Sequence, residues 1–585
     1  MKSKKIDWSV LRRFNPYLLS FKKEIWAAIF LGIIAGGASV FITYQIGQAV
    51  DQMLGKKQVN FANLNHILLL FASVVLLTVF SQLFIQRLSN KIAYFAAGQL
   101  RKDAFTHLNK LPLSYYDQTP HGNIVSRFTN DMDNIAIAVA AVFNQVFSGV
   151  SIVLIAFVVM LRLSVVLTFV VLVATPIIFL VSWLVASQSQ ANFARQQEIV
   201  GEISGFVTEM VGNQKIVKAF QQEDVNQVKF ETINQELNVR GQKAQFSSSL
   251  TNPMSRFVDH LAYLAVGFVG GLLVLNGSEL VTIGIISSFT IYASQFTKPF
   301  IELSGITTQI QTAIAGLIRT FEILDQKIET PDAPDAITLT TVKGAVVFSH
   351  VDFSYTADQH LIHDFNFTAN PGETIAIVGK TGAGKSTLVN LLMRFYEVDA
   401  GMITLDGHDI RQISRDSLRQ SFGMVLQDTW LFDASLRENL TYGNPHATDA
   451  VIYEALQKTY MYDYVQRLPQ KLDTFIGASG IKISDGQRQL LTIARTMISE
   501  PHLLILDEAT SSVDTLTEQK IQAAFLAMMK GKTSFVIAHR LATIQAADKI
   551  LVMDQGEIVE QGSHESLLAQ KGYYAELYQA QFEQS

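Results

Sequence analysis

Apolar positions along the 585-residue chain follow two regimes that change near residue 310. Before that point, long unbroken apolar runs demand a non-aqueous neighbour on every side; after it, short β-type runs alternate with helical periods. Six early stretches, residues 25–47, 61–84, 138–161, 164–186, 257–275 and 280–301, approach the roughly 20 residues that a helix needs to cross a bilayer. Spans three and four are separated by little more than Arg162, and spans five and six by residues 276–279. Residues 85–137 and 187–256 are instead long, polar and helix-patterned, so nearly all the extra-membrane mass lies on one side.

Basic residues set the orientation. Lys2, Lys4, Lys5, Arg12, Arg13, Lys22 and Lys23 precede span one, and Arg87, Lys91, Arg101, Lys102, Lys110 and Arg127 populate the first long connection. The opposite loops hold only Lys56, Lys57 and Arg162, so the N-terminus, both long connections and the C-terminal half are expected in the cytoplasm. Residues 8–21 are amphipathic and read as a helix on the membrane surface, with a solvated tail as the plain alternative. The polar stretch with Pro331 and Pro334 reads as a linker. The expected organisation is a polytopic α-helical membrane domain over residues 1–325, a linker over 326–343, and an α/β domain over 344–585.

Composition agrees: 49% hydrophobic residues with only 17% charged make the chain more apolar than a soluble enzyme of this size. A net charge of −5 gives no sign of a nucleic-acid binder, and zero cysteines exclude disulfides and thiolate metal sites. No removable signal peptide is read at the start.

The sharpest local motif is Gly379-Lys380-Thr381-Gly382-Ala383-Gly384-Lys385-Ser386-Thr387, directly after an apolar strand. This is a P-loop in its strand-to-helix context: glycines let backbone N–H groups wrap phosphates, Lys385 reaches the β- and γ-phosphates, and Ser386 ligates Mg²⁺. Further along, an apolar strand ends in Asp507 and Glu508. Asp507 suits Mg²⁺, and Glu508 suits polarising a water for attack on the γ-phosphate.

With these motifs the chain resembles the ATP-binding-cassette family over nearly its whole length. The resemblance implies a type IV ABC exporter fold followed by an α/β P-loop NTPase cassette. It makes Tyr355 the adenine-stacking aromatic and Gln427 the Q-loop glutamine that touches Mg²⁺. Ser484, Asp485, Gly486 and Gln487 become the signature that caps a partner's ATP, Ser511, Ser512 and Asp514 the D-loop, and His539 the switch histidine. Catalysis falls to Glu508, His539 and Gln427, with Ser386, Gln427 and Asp507 as metal ligands. Residues 113–119 and 127–131 resemble the first coupling loop, and residues 213–220 the second. A membrane domain fused ahead of the cassette favours export.

The resemblance also implies a two-chain complex, because one cassette's ATP is capped by the other's signature. Asp485 replaces a glycine of the usual signature, placing a carboxylate near the partner's triphosphate, a repulsion of about 1 kcal/mol in a water-like dielectric and several-fold more in a drier interface. Ala478 replaces a glutamate common just upstream. With Glu508 intact, this resembles one subunit of the heterodimeric bacterial multidrug exporters and favours a heterodimer over a homodimer, in a bacterial plasma membrane.

Arg256 with Asp259 and Lys298 with Glu302 have helical spacing for salt bridges. Gln45, Gln82, Asn144 and Gln145 are polar positions within or beside spans, suited to helix–helix hydrogen bonds as much as to a binding cavity. The expected activity is ATP-driven export of lipophilic or amphipathic small molecules. The alternatives are lipid or peptide export, and an ATP-gated channel or sensor.

Overall fold

The computed structural model describes residues 8–53, 59–276, 281–356, 361–427, 429–477, 480–507, 514–538 and 540–582. Contacts divide the chain into two units: Met1–Lys110 with Thr119–Lys327, and Leu111–Gln118 with Ile328–Ser585.

The first unit is helical. α1 (Trp8–Leu19) and α2 (Lys22–Asp51) lead into α3 (Phe61–Leu108). At 48 residues, α3 is about 72 Å long and outlasts any bilayer. The short α4 (Leu113–Gln118) belongs to the second unit. The chain returns through α5 (His121–Phe128), α6 (Asn130–Gln145), a π-helical segment Val146–Val150, and α7 (Ser151–Leu163). The unit is completed by α8 (Val165–Gly212), α9 (Gln214–Ala219), α10 (Glu223–Ser249), α11 (Thr251–Leu275), α12 (Ile283–Gly305) and α13 (Thr307–Leu324).

Among the described residues, Lys22–Asp51, Phe61–Leu108 and His121–Leu163 are long and apolar enough to cross a membrane, and Val165–Ile177 and Asp259–Leu275 are shorter apolar stretches. Helices occupy all six predicted span positions, and α3 and α8 show that the long connections begin as continuations of span helices. Lipid-type faces are plain on α3, where Leu69, Leu76, Phe80 and Phe84 are exposed.

Two expectations change here. α1 does not reserve its apolar face for lipid: Val10 and Phe14 are buried with Ala96, Leu100, Leu317 and Phe321. Arg13 forks onto Asp325 at 2.7 Å and lies over Phe321, and Tyr17 donates to Asp103 at 3.0 Å. Amphipathicity alone does not say whether lipid or protein covers the apolar stripe. Arg256 is not paired with Asp259 among the described contacts; Asp259 accepts from Thr297 on α12 at 3.2 Å, a cross-helix bond that spacing within one helix cannot reveal. Lys298 and Glu302 do pair, at 3.8 Å. Of the polar span residues, Asn144 donates to Gln86 at 2.7 Å and Gln145 to the Pro299 carbonyl at 3.2 Å.

The second unit contains β1 (Val346–Phe353), β2 (Ile362–Ala369), β3 (Thr374–Gly379), β4 (Ala400–Leu405), β5 (His408–Asp409), β6 (Phe422–Val425), β7 (Ala434–Ser435), β8 (Phe475–Ile476), β9 (Leu503–Asp507), β10 (Thr533–Ile537), β11 (Lys549–Asp554) and β12 (Glu557–Gly562). The main sheet runs β12-β11-β3-β10-β9-β6, parallel except for β12, and a second sheet runs β2-β1-β4-β5. Leu503–Leu506 is apolar throughout because both faces of β9 are covered.

The polar stretch read as a linker is stitched down along much of its length. Arg415 donates to the Thr330 carbonyl at 2.5 Å and to Asp332 at 2.8 Å. Leu339 N–H reaches Ser417 at 2.8 Å, and Asp406 accepts from the N–H groups of Lys343, Gly344 and Ala345.

Candidate nucleotide site

Strand register brings four chain segments to one edge. β3, β10, β9 and β6 are parallel neighbours, with Ile377 opposite Ile537, Ile537 opposite Asp507, and Leu506 opposite Val425. Their carboxyl ends therefore deliver side by side the P-loop after Gly379, Asp507, Gln427 and the end of β10, two residues before His539 in sequence. Parallel α/β sheets bind ligands in the crevice outside these strand ends. Glu508 and His539 themselves, with Ala478, Ser511 and Ser512, lie outside the described residues.

The P-loop geometry explains its glycines. Gly379, Gly382 and Gly384 all have positive φ. A Cβ on Gly379 would run into the Met553 carbonyl at the end of β11, so the loop lies against its neighbouring strand as closely as backbone allows. Gly384 is the N-cap of α14 (Lys385–Leu392) and brings no side-chain cap to it. The first N–H groups of that helix are thus available to an anion, with the helix dipole behind them.

Lys385 curls over the loop, its Nζ donating to the carbonyls of Gly379 at 2.8 Å and Lys380 at 3.0 Å. Burial pulls its pKa below the ordinary lysine range, and the Asp507 carboxylate opposes that shift. Ammonium and carboxylate thus share one electrostatic neighbourhood. Ser386 and Thr381 are exposed at the loop mouth, whereas Ala383 and Thr387 are buried against the fold. Lys380 lies over the Tyr573 ring at 5.4 Å, a contact with no signal in the motif.

Tyr355 stands beside this helix. Its hydroxyl donates to Thr387 Oγ1 at 3.4 Å and accepts from Asn390 Nδ2 at 3.0 Å, while its ring remains partly exposed. Gln427, two residues past β6, is exposed. Among the described residues no group of three or more His, Asp or Glu side chains could hold a metal ion alone. Ser386, Gln427 and Asp507 offer only hard oxygens, a donor set that suits Mg²⁺ shared with phosphate oxygens and water.

The signature residues open a different helix, Asp485–Ile498. Ser484 and Gln487 form a reciprocal capping box, with bonds of 3.3 and 3.1 Å. Gly486 is buried. Asp485 is exposed in the first turn and pairs with Arg488 at 3.1 Å. A carboxylate there is favoured by the helix dipole, so Asp485 has a local structural use at the positive end of its helix. Asp514 caps the following helix by accepting from Thr517 N–H at 3.0 Å, which holds its carboxyl below the usual range.

Residues 25–300 match the family model of the ABC transporter transmembrane region, and residues 362–511 match the ABC transporter family model. YfiC of Bacillus subtilis, an uncharacterized ABC transporter ATP-binding protein, is 36% identical over 98% of this chain and 94% of its own length. A fatty acid ABC transporter ATP-binding/permease protein of Mycobacterium tuberculosis is 40% identical over 84% of this chain and 78% of its own. A bacterial Atm1-family ABC exporter solved with ATP bound superposes with a TM-score of 0.76 at 27% identity, covering 96% of this chain and 98% of that one. With an exporter-type membrane domain fused to one ATPase cassette, the chain belongs to the ABC transporter family as a half-transporter whose ATPase drives transmembrane transport.

Proposed function

We propose that this half-transporter exports lipophilic or amphipathic small molecules from the cytoplasm across a bacterial plasma membrane. The observation that carries the reading is the convergence of the P-loop, Asp507, Gln427 and the end of β10 on one sheet edge. Lys385 and the N-terminal N–H groups of α14 hold the β- and γ-phosphates, and Tyr355 supports the base. Ser386, Gln427 and Asp507 would hold Mg²⁺, which neutralises charge on the transferring phosphoryl group. Glu508 orients the attacking water, and His539 contacts the γ-phosphate. ATP binding closes two cassettes and hydrolysis resets them, with the coupling segments carrying the change to the spans. The fatty acid cargo named for the mycobacterial relative favours a lipophilic cargo.

The partner is read as a different chain. Asp485 adds negative charge at the helix end that would cap the partner's ATP, and Arg488 offsets that charge only in part because both side chains are solvated. The composite site capped by this chain then hydrolyses poorly, while Glu508 serves the other. Pulling tagged chain from its native cells tests this: a second half-transporter is expected, and recovery of this polypeptide alone with full ATPase activity contradicts it. ATP-dependent uptake of a lipophilic dye or fatty acid into inverted vesicles tests the transport reading. Uptake abolished by Glu508→Gln supports a pump; uptake unchanged by it supports a nucleotide-gated channel.

A further inference from the structure

The loop Arg394-Phe395-Tyr396-Glu397, which follows the P-loop helix, is held from several directions within the second unit. Arg394 has a left-handed backbone, φ 50°, and a buried side chain that donates to the carbonyls of Ile410, Arg411 and Ile413 and to Glu397 at 2.9 Å. Glu397 in turn accepts from Arg415 at 2.8 Å, and the same Arg415 grips Thr330 and Asp332. Arg419 lies over the Phe395 ring at 5.2 Å and pairs with Glu329 at 2.5 Å. The chain segment that arrives from the membrane domain is therefore anchored on this loop.

Tyr396 is the one residue of the loop that faces elsewhere. Its ring meets that of Tyr355 edge-to-face, with centroids 4.9 Å apart and an interplanar angle of 86°, and meets Phe353 at 5.6 Å. Its hydroxyl donates to the Asp117 carboxylate on α4. Burial and Asp117 both push the Tyr396 hydroxyl up, so it remains a donor throughout the physiological range. Edge-to-face rings and a charge-assisted hydrogen bond are both directional contacts. One rigidly mounted side chain thus touches the aromatic beside the P-loop helix at one end and α4 at the other.

We propose that Tyr396 is a positioning residue that transmits nucleotide occupancy beside Tyr355 to α4, and through chain continuity to the span helices on either side of α4. This rests on the reading that ATP occupies the P-loop edge with its base against Tyr355. A base that settles on Tyr355 fixes that ring, the fixed ring limits the tilt of Tyr396, and the Tyr396 hydroxyl limits the position of Asp117. The attachment through Arg415 is separate and holds the loop whether or not nucleotide is present.

Hydrogen–deuterium exchange on the full transporter complex, with and without ATP in magnesium-free buffer, tests it. In the unaltered chain ATP slows exchange in residues 380–392 and also in residues 111–118. In Tyr396→Phe, which keeps the ring and removes only the hydroxyl, ATP still slows 380–392 to the same extent, whereas the response of 111–118 falls roughly five-fold or more, the scale of one hydrogen bond. Asp117→Ala gives the same split from the other partner. An undiminished response of 111–118 in both variants overturns the inference, as does an unaltered chain in which ATP slows 380–392 but not 111–118. An unaltered chain in which ATP slows neither segment removes the nucleotide reading itself, and the inference with it.

Discussion

In the membrane unit Gly47 and Gly284 sit in ordinary helical backbone and let two helices touch, whereas in the cassette Gly379, Gly382 and Gly384 sit at positive φ and shape the P-loop backbone. On α2 and α12, Gly47 and Gly284 oppose each other so closely that a Cβ on Gly284 would strike the Gly47 carbonyl. Nearby, Ser288 donates to the Thr43 carbonyl at 3.1 Å, and Asp51 accepts from Thr282 and from Gly284 N–H at 2.7 and 2.8 Å. Lipid offers no hydrophobic drive between helices, so close approach and hydrogen bonding supply the attraction. In the cassette the apolar core does that work, with Leu503–Leu506 buried on both faces, and glycine is released for the phosphate loop. The two units should therefore fail in different ways when perturbed.

The largest expected effect is in the cassette. Lys385→Ala removes the ammonium over the P-loop and should lower phosphate release on the order of 10²–10³-fold while leaving the thermal stability of the solubilised protein nearly unchanged. Gly284→Ala should do the reverse. Its Cβ meets backbone that cannot turn aside, an overpacking that costs about 1–3 kcal/mol, seen as a lower melting temperature with ATP affinity retained. If Gly284→Ala instead weakened ATP binding without lowering stability, the division of roles between the units would be wrong.

Smaller effects sharpen the contrast within the cassette, between its P-loop edge and its signature helix. Asp485→Gly removes the carboxylate and its Arg488 pair, and should raise ATP turnover of the complex by roughly two-fold, from the second composite site, if the repulsion is near the water-like limit. Steady-state phosphate release of the intact complex measures it; unchanged or lower turnover would mean that Asp485 serves only its own helix. The smallest effect is a pH shift. ATP binding needs the Lys385 ammonium, so it is present below that pKa and lost as pH rises through it. Asp507 is the influence that raises this pKa against burial. Asp507→Asn should therefore move the alkaline fall of magnesium-free ATP binding to lower pH, read by equilibrium titration across the alkaline range.

Much of this was legible in the chain, for different reasons in each half. The span positions follow from apolar length, because lipid acts on every residue of a helix. The P-loop and the Asp507 strand are legible because each is a local stretch whose neighbours in sequence are also its neighbours in space. The contacts that escaped are the long-range ones. Tyr396 and Asp117 are 279 residues apart, and no local pattern links them. Arg415 to Thr330 spans 85 residues and turned a stretch that composition marks as a linker into part of the cassette. The burial of Val10 and Phe14 is not legible in sequence, because an amphipathic stripe does not name its partner. Arg256 and Asp259 had helical spacing for a pair, yet Thr297 on another helix claimed the carboxylate.

The account turns on whether triphosphate cleavage at this sheet edge powers the spans, and phosphate release by the complete complex reconstituted in liposomes with magnesium measures that most directly. Steady hydrolysis by the unaltered chain, together with a Glu508→Gln variant that still binds ATP but releases phosphate at least 10²-fold more slowly, on the scale lost with a transition-state group, is the predicted result. Equal phosphate release from both, or no nucleotide binding by either, would contradict it.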